Sequence, residues 1–118
     1  MRAVAQQGAG ALLCMASPVF FRQRAELGEA AIANRMPAIG RFAEAAENGM
    51  LISYGADLPD TQRRAADYIH RILKGARPSD LPMEQPTKFE LIVNLKTAAR
   101  LAVTVPPSTL LRADRVIR

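Results

Sequence analysis

Tryptophan is absent from this 118-residue chain, and cysteine and histidine occur once each. The only aromatics are four Phe, two Tyr and no Trp, so a packed core must be mostly aliphatic and Ala-rich. A lone Cys14 excludes an internal disulfide. Within "ALLCMA" it is expected to be a buried, inert thiol, and the count leaves the redox compartment open. His70 lies far along the chain from Cys14, so no Cys-His nucleophile pair is expected. A zinc site would need unusual help from carboxylates. No run approaches about 18 apolar residues, so no transmembrane helix is expected. The start, "MRAVAQQGAGALLCMASPVFF", places one Arg before apolar residues, but Gln6, Gln7, Gly8 and Gly10 interrupt it. A signal peptide is therefore not expected, although "MASP" imitates a cleavage site.

Catalytic patterns are equally scarce. Gly8-Ala9-Gly10 lacks the third glycine of a dinucleotide fingerprint, and it precedes a strand where the fingerprint must follow one. The acidic residues sit mostly on helix surfaces, with no close pair suited to general acid and base. No enzymatic activity and no cofactor are implied.

Charge is present but dispersed. The formal net charge is +5. The basic residues are scattered, and the tightest pair, Arg63-Arg64, sits beside Asp60 and Asp67. No basic run is interleaved with aromatics, so the surface reads as solvated rather than as a nucleic-acid footprint. Hydrophobic residues make up 49%, which suits a globular chain of one domain or part of one.

Periodicity supplies the elements. Residues up to Gln7 read as the end of a helix, broken by "GAG". Residues 11–15 form a short apolar run, expected as a strand. Ser17-Pro18 is a good helix start, and one helix is expected to about Asn34, with Phe20, Leu27 and Ala31 inside. Residues 36–39 form a strand, and residues 41–47 a small helix ending at Asn48-Gly49. "MLISY" (50–54) is the next strand. Asp57 can cap a long helix whose stripe is Ala65, Tyr68, Ile69, Ile72 and Leu73. Pro78, Pro82 and Pro86 make an extended connector. "TKFELIVNL" holds the strongest strand, 87–93, and Asn94 can cap a helix to about Ala102. A last helix is expected over 108–117. Strands alternating with helices imply an α/β fold, a parallel sheet with helices on both faces.

Two turns at the carboxyl edge of such a sheet could hold a ligand. One is Ala16-Ser17-Pro18 and the other runs from Ser53 and Tyr54 through Gly55 to Asp57. Each leads to a helix N-terminus, where free N–H groups favour a carboxylate. Ser17, Ser53 and Tyr54 add hydroxyls, and the Tyr54 ring adds a stacking face. The alternative is that Ser17 and Asp57 are only caps and Tyr54 is packing.

The stretches "SYGADLP", "RRAADYIHRILKGARPSDLPMEQPTKFELIVNLKTA" and "PPSTLLRADRVI" closely resemble a large bacterial family. These are the substrate-binding proteins of ABC transporters of the tryptophan/tyrosine-uptake type. "GAGALLCMASPVFF" is similar to that family's strand and Asp-Pro-aromatic turn, more loosely. The resemblance implies part of a type I periplasmic-binding-protein fold, in which two lobes close on a small solute and hand it to a membrane permease. It implies no catalytic residues, an amino-acid-like solute and a periplasmic setting; taken with no signal peptide, the chain as given would be cytoplasmic. Candidate ligand-binding residues are Ser17, Pro18, Ser53, Tyr54 and Gly55.

The departures carry expectations too. Ser17 stands where the family often has Asp, Gly40 where an aromatic is common, and Ala102 where Gly typically ends a helix. That helix end should be rearranged or weakened. Family members run to roughly 300 residues, as two-lobe proteins do. The chain is therefore expected to be a C-terminal fragment: residues 1–86 a partial C-terminal lobe, and residues 87–118 a segment returning toward a missing N-terminal lobe. Half a cleft should bind weakly alone. The competing reading is a stand-alone α/β regulatory or interaction module acting as a homo-oligomer, because bare strand edges favour self-association.

Overall fold

The protein is represented by a computed structural model, which describes residue 3 and residues 6–118. The helix expected to end near Gln7 falls largely on residues outside those described.

Five strands form one sheet in the order β1-β2-β3-β4-β5 among the described residues. They are β1 (Leu12–Leu13), β2 (Ala38–Gly40), β3 (Ile52–Ala56), β4 (Phe89–Asn94) and β5 (Arg115–Ile117). The helices are α1 (Pro18–Arg22), α2 (Arg24–Ala33), α3 (Ala43–Glu47), α4 (Leu58–Leu73), α5 (Leu95–Leu101) and α6 (Pro107–Arg112). A 3-10 turn, Pro78–Asp80, interrupts the connector expected to be extended.

The sheet expected to be parallel is mixed. β1-β2, β2-β3 and β4-β5 are parallel, but β3 and β4 are antiparallel. The reason lies in residues 57–88. They leave the sheet at Ala56 and return to the same end at Phe89, which is paired with Ala56. A connection that returns to the end it left joins antiparallel neighbours and needs no crossover. The boundary set at residues 86/87 falls between α4 and β4, and both sides of it contribute strands to this one sheet.

Two further expectations are corrected. The single helix over residues 17–34 is broken at Gln23 (φ −97°, ψ 18°). There the Arg24 side chain donates from Nη1 to the Phe21 carbonyl at 2.7 Å, taking an acceptor that a continuous helix would use. The last helix stops at Arg112, and residues 115–117 form β5 instead. The Asp114 carboxylate accepts the Leu91 N–H at 2.8 Å, and the Asp114 N–H donates to the Leu91 carbonyl at 2.9 Å. That anchor aligns the chain for pairing with β4, and ladder bonds override the local helical preference.

The caps form as the residue types dictate. Ser17 Oγ accepts the Val19 N–H at 3.3 Å, Asp57 Oδ1 the Asp60 N–H at 3.0 Å, and Asn94 Oδ1 the Thr97 N–H at 3.0 Å. Asn94 also donates to the Ala46 carbonyl at 2.7 Å, which ties β4 to α3. The core lies between the sheet and α2 and α3. Cys14, Ala31, Ala38, Ala45 and Met50 form its centre, with Leu12 and Leu27 against them. Packing there is close because Gly28 lets α2 approach the end of α3: a Cβ would sit 2.1 Å from the Asn48 carbonyl oxygen.

The end of α5 is not rearranged. Ala102 itself takes the left-handed conformation (φ 55°, ψ 38°). The Ala102 and Val103 N–H groups close the helix on the carbonyls of Ala99 and Ala98. A side chain held there costs about 1–2 kcal/mol. Ala102→Gly removes that strain and adds unfolded-state entropy, so a net gain of about 0.5–1 kcal/mol is expected. Urea denaturation of the two forms reads it; a loss of stability would contradict the strain.

α4 stands off the sheet, and none of its residues is buried. Ile69, Ile72 and Leu73 of its apolar stripe are exposed. The connector folds back along it. Tyr68 donates its hydroxyl to the Pro82 carbonyl at 2.6 Å, and Arg64 reaches Glu84 and Thr87. This arm makes the chain long, 56 Å by 32 Å by 19 Å, with a radius of gyration of 17.7 Å. A compact chain of this length would have about 13–14 Å.

Candidate functional site

Paired residues in neighbouring strands share a face. The register therefore puts Leu13, Ile39, Ile52, Tyr54, Leu91 and Phe89 on the face opposite the core. None of these six is buried, although Val93, which pairs with Ile52 on the same face, is. At the carboxyl ends of β1, β2 and β3 this face becomes an apolar groove of about 530 Å³. Leu13, Met15, Ile39, Arg41, Tyr54 and Phe89 line it, with the backbone of Gly55 at its floor. Tyr54 is 56% exposed and Phe89 48%. Their rings lie nearly parallel, with centroids 6.0 Å apart and planes at 25°.

The sequence candidates scatter around this groove. Tyr54 and Gly55 line it. Ser17 lines an adjoining smaller cleft that shares Met15, Ala16 and Arg41 with it. Pro18 is exposed and lines neither. Ser53 is 1% exposed and points into the core side of β3, where its Oγ has no hydrogen-bond partner. Alternation along a strand dictates this: if Tyr54 faces the groove, Ser53 faces away.

The helix N-terminus after the second turn is already filled. The Asp57 carboxylate caps α4 and also pairs with Lys88 Nζ at 2.6 Å. The Lys88 hydrogen bond, then the Asp60 N–H, hold the Asp57 carboxyl below the usual carboxylate range, and Asp57 raises the Lys88 ammonium. A depressed folded-state value means stabilisation that is complete above the unfolded value of about 4 and is lost as pH falls through the folded value. Asp57→Asn keeps the cap but not the charge. Its unfolding midpoint should lose less between pH 7 and pH 3 than that of the parent chain; equal losses would refute the assignment.

Arg41 and Phe89 escaped the sequence reading. Arg41 follows a strand in a stretch with the character of a small helix, and Phe89 lies within the strongest strand signal. Gly40 is explained by packing: a Cβ there would lie 2.4 Å from the Ala45 Cβ and 2.9 Å from the Met50 Sδ, so no side chain fits. No signal in the single sequence pairs Phe89 with Tyr54, because the antiparallel register creates that contact.

A family model described as "ABC transporter substrate binding protein" matches residues 3–117. The chain belongs to that family. No curated protein matches it. Among solved structures, a conserved domain protein from Vibrio cholerae is 24% identical with a TM-score of 0.90, covering 98% of this chain and 38% of that one. An ABC domain in complex with L-Trp from Streptococcus pneumoniae is 24% identical with a TM-score of 0.87, covering 97% and 39%. A ligand-free, open substrate binding protein with adhesive properties from Clostridium difficile is 18% identical with a TM-score of 0.68, covering 98% and 38%. These likenesses show the fold, and this chain spans about two fifths of the length of those structures.

The family is one of solute-binding proteins and not a class of enzymes. It takes small-molecule solutes, works with ABC permeases and is typically periplasmic or extracellular. Among the described residues, no helix of this chain is long and apolar enough to cross a membrane.

Proposed function

We propose that this chain supplies one wall of a solute cleft for ABC-transporter uptake, and that the solute is amino-acid-like. The carrying observation is the pair of open aromatic plates, Tyr54 and Phe89, beside the carboxyl ends of three parallel strands. Open α/β sheets hold ligands at that edge. Gly55 and Ser17 border the same region, whereas Pro18 and Ser53 contribute through the fold. The L-Trp complex of the Streptococcus pneumoniae structure supports an aromatic amino acid as first probe.

The groove is open on its outer side. A binding pocket encloses most of its ligand, and a single wall does not. The arm, residues 57–88, offers a place for a second body to pack, since its apolar stripe is uncovered. Calorimetric titration of the chain with an amino-acid panel led by L-tryptophan tests the reading. Expected are millimolar or weaker dissociation constants, equivalent to about 4 kcal/mol or less, lost on Tyr54→Ala. A micromolar constant would overturn the one-wall geometry, and binding indifferent to Tyr54→Ala would overturn the site.

A second reading, self-association, is favoured by exposed Ile69, Leu73 and Leu111. Light scattering on the same samples separates a defined dimer from monomer or aggregate.

A further inference from the structure

The smaller cleft beside the groove has a different chemistry. It measures about 40 Å³, and Ser17, Phe21, Arg24, Arg41 and Phe42 are among its lining residues. One aromatic pair sets both guanidinium groups. Arg24 Cζ lies 4.7 Å from the Phe21 centroid and Arg41 Cζ 5.4 Å from that of Phe42. Phe21 and Phe42 meet edge to face at 6.1 Å. Stacking of this kind holds a guanidinium plane in place while leaving its in-plane N–H groups free to donate.

Those donors are under-used. Among the described residues, neither Arg24 nor Arg41 pairs with a carboxylate. Arg24 donates from Nη1 to the Phe21 carbonyl, but its Nε is buried with no acceptor. A buried N–H without a partner is rare in a native fold and calls for one. Ser17 Oγ accepts from Val19, so its hydroxyl proton remains available. No Asp or Glu lines this cleft or the groove. Both open onto Met15, Ala16 and Arg41.

We propose that Arg24 and Arg41, with the Ser17 hydroxyl, seat the carboxylate of the solute whose apolar body lies along Tyr54 and Phe89. Planar guanidinium forks match carboxylate geometry. With no acid on this wall, an ammonium group on the solute has no partner here. The wall therefore selects for an apolar body bearing a carboxylate and is indifferent to an α-amino group. This rests on the reading of the strand edge as a solute site.

The test is a titration of the whole chain followed by the Nε–H resonances of Arg24 and Arg41 and the backbone amides of Tyr54, Gly55 and Phe89. The probes are indole-3-acetate, L-tryptophan, tryptamine and sodium sulfate, in low-chloride buffer. Indole-3-acetate and L-tryptophan should move both sets of signals together, with similar half-saturation. Tryptamine, lacking the carboxylate, should bind about tenfold or more weakly. Arg41→Gln should weaken indole-3-acetate by about tenfold and so bring its affinity to about that of tryptamine. If indole-3-acetate moves the Tyr54, Gly55 and Phe89 signals but neither Arg Nε–H, the carboxylate seat is wrong and the strand-edge site survives. If no organic probe moves the groove amides, the strand-edge reading fails and the seat fails with it. Arg signals that answer to sulfate and not to indole-3-acetate would mark a free-anion site and overturn the proposal. The unaltered chain carries the decisive readout, so an unstable variant does not obscure it.

Discussion

Gly55→Val should destabilise the native fold strongly. Gly55 is buried in β3, which is flanked by β2 and β4. A Cβ at this position would lie 1.8 Å from the Arg41 carbonyl oxygen and 2.9 Å from its carbonyl carbon. Both are backbone atoms, so no side-chain rotation relieves the clash. Either β3 moves away from its neighbours, or the turn after β2 is displaced. Overpacking against mobile side chains costs about 1–3 kcal/mol, and this contact should cost about 3 kcal/mol or more. The same contact positions Arg41, so any folded residue of the variant should also show an altered groove. Circular dichroism and urea denaturation measure the effect. Tyr54→Val, one position away on the exposed face, is the control and should change stability by about 1 kcal/mol or less. A Gly55→Val protein that unfolds at the parent's midpoint would refute the close approach.

The second large effect belongs to Ile92. It is fully buried in β4, paired with Ser53 on one side and Arg115 on the other. Ile92→Ala removes buried methyl and methylene groups and leaves a cavity, for a loss of about 2–5 kcal/mol. Domains hold about 0.05–0.15 kcal/mol per residue, or about 6–18 kcal/mol for 118 residues. A chain with a partly bare sheet face and an uncovered arm belongs at the low end of that range. One core truncation should therefore remove about a third or more of the total stability. Ile69→Ala removes the same atoms from the exposed stripe of α4, where the side chain is 58% exposed, and should cost much less. Comparable losses at the two positions would show that α4 is covered in solution.

Much of the local structure was legible. Ser17, Asp57 and Asn94 cap helices because a short polar side chain before an apolar-periodic run competes for the first free N–H groups. The stripe from Ala65 to Leu73 announced α4, and residues 87–93 announced β4 through dense β-branched and aromatic character. Residues 115–117 were misread because "LLRADRVI" has helical spacing; only Leu91, waiting across the sheet, makes the strand preferable. The break at Gln23 was equally hidden, since it depends on where the Arg24 guanidinium goes.

The proposed site was legible in part. The turn at Tyr54 and Gly55 stood out because a strand ended there and a capped helix began. Arg41 and Phe89 did not stand out, because each lies in a segment with an adequate structural reason of its own. Ser53 was placed among the candidates on the strength of its hydroxyl, yet strand alternation turns it inward.

From its own residues the chain determined which segments become helix or strand, where several helices start, and that no disulfide joins them. These depend on contacts within a few positions, which a sequence displays directly. The direction of β4, the pairing of Tyr54 with Phe89, the convergence of Arg24 and Arg41, and the exposure of α4 were decided only in three dimensions. Each depends on which distant segments meet, and that follows from the total burial and hydrogen bonding of the assembled sheet.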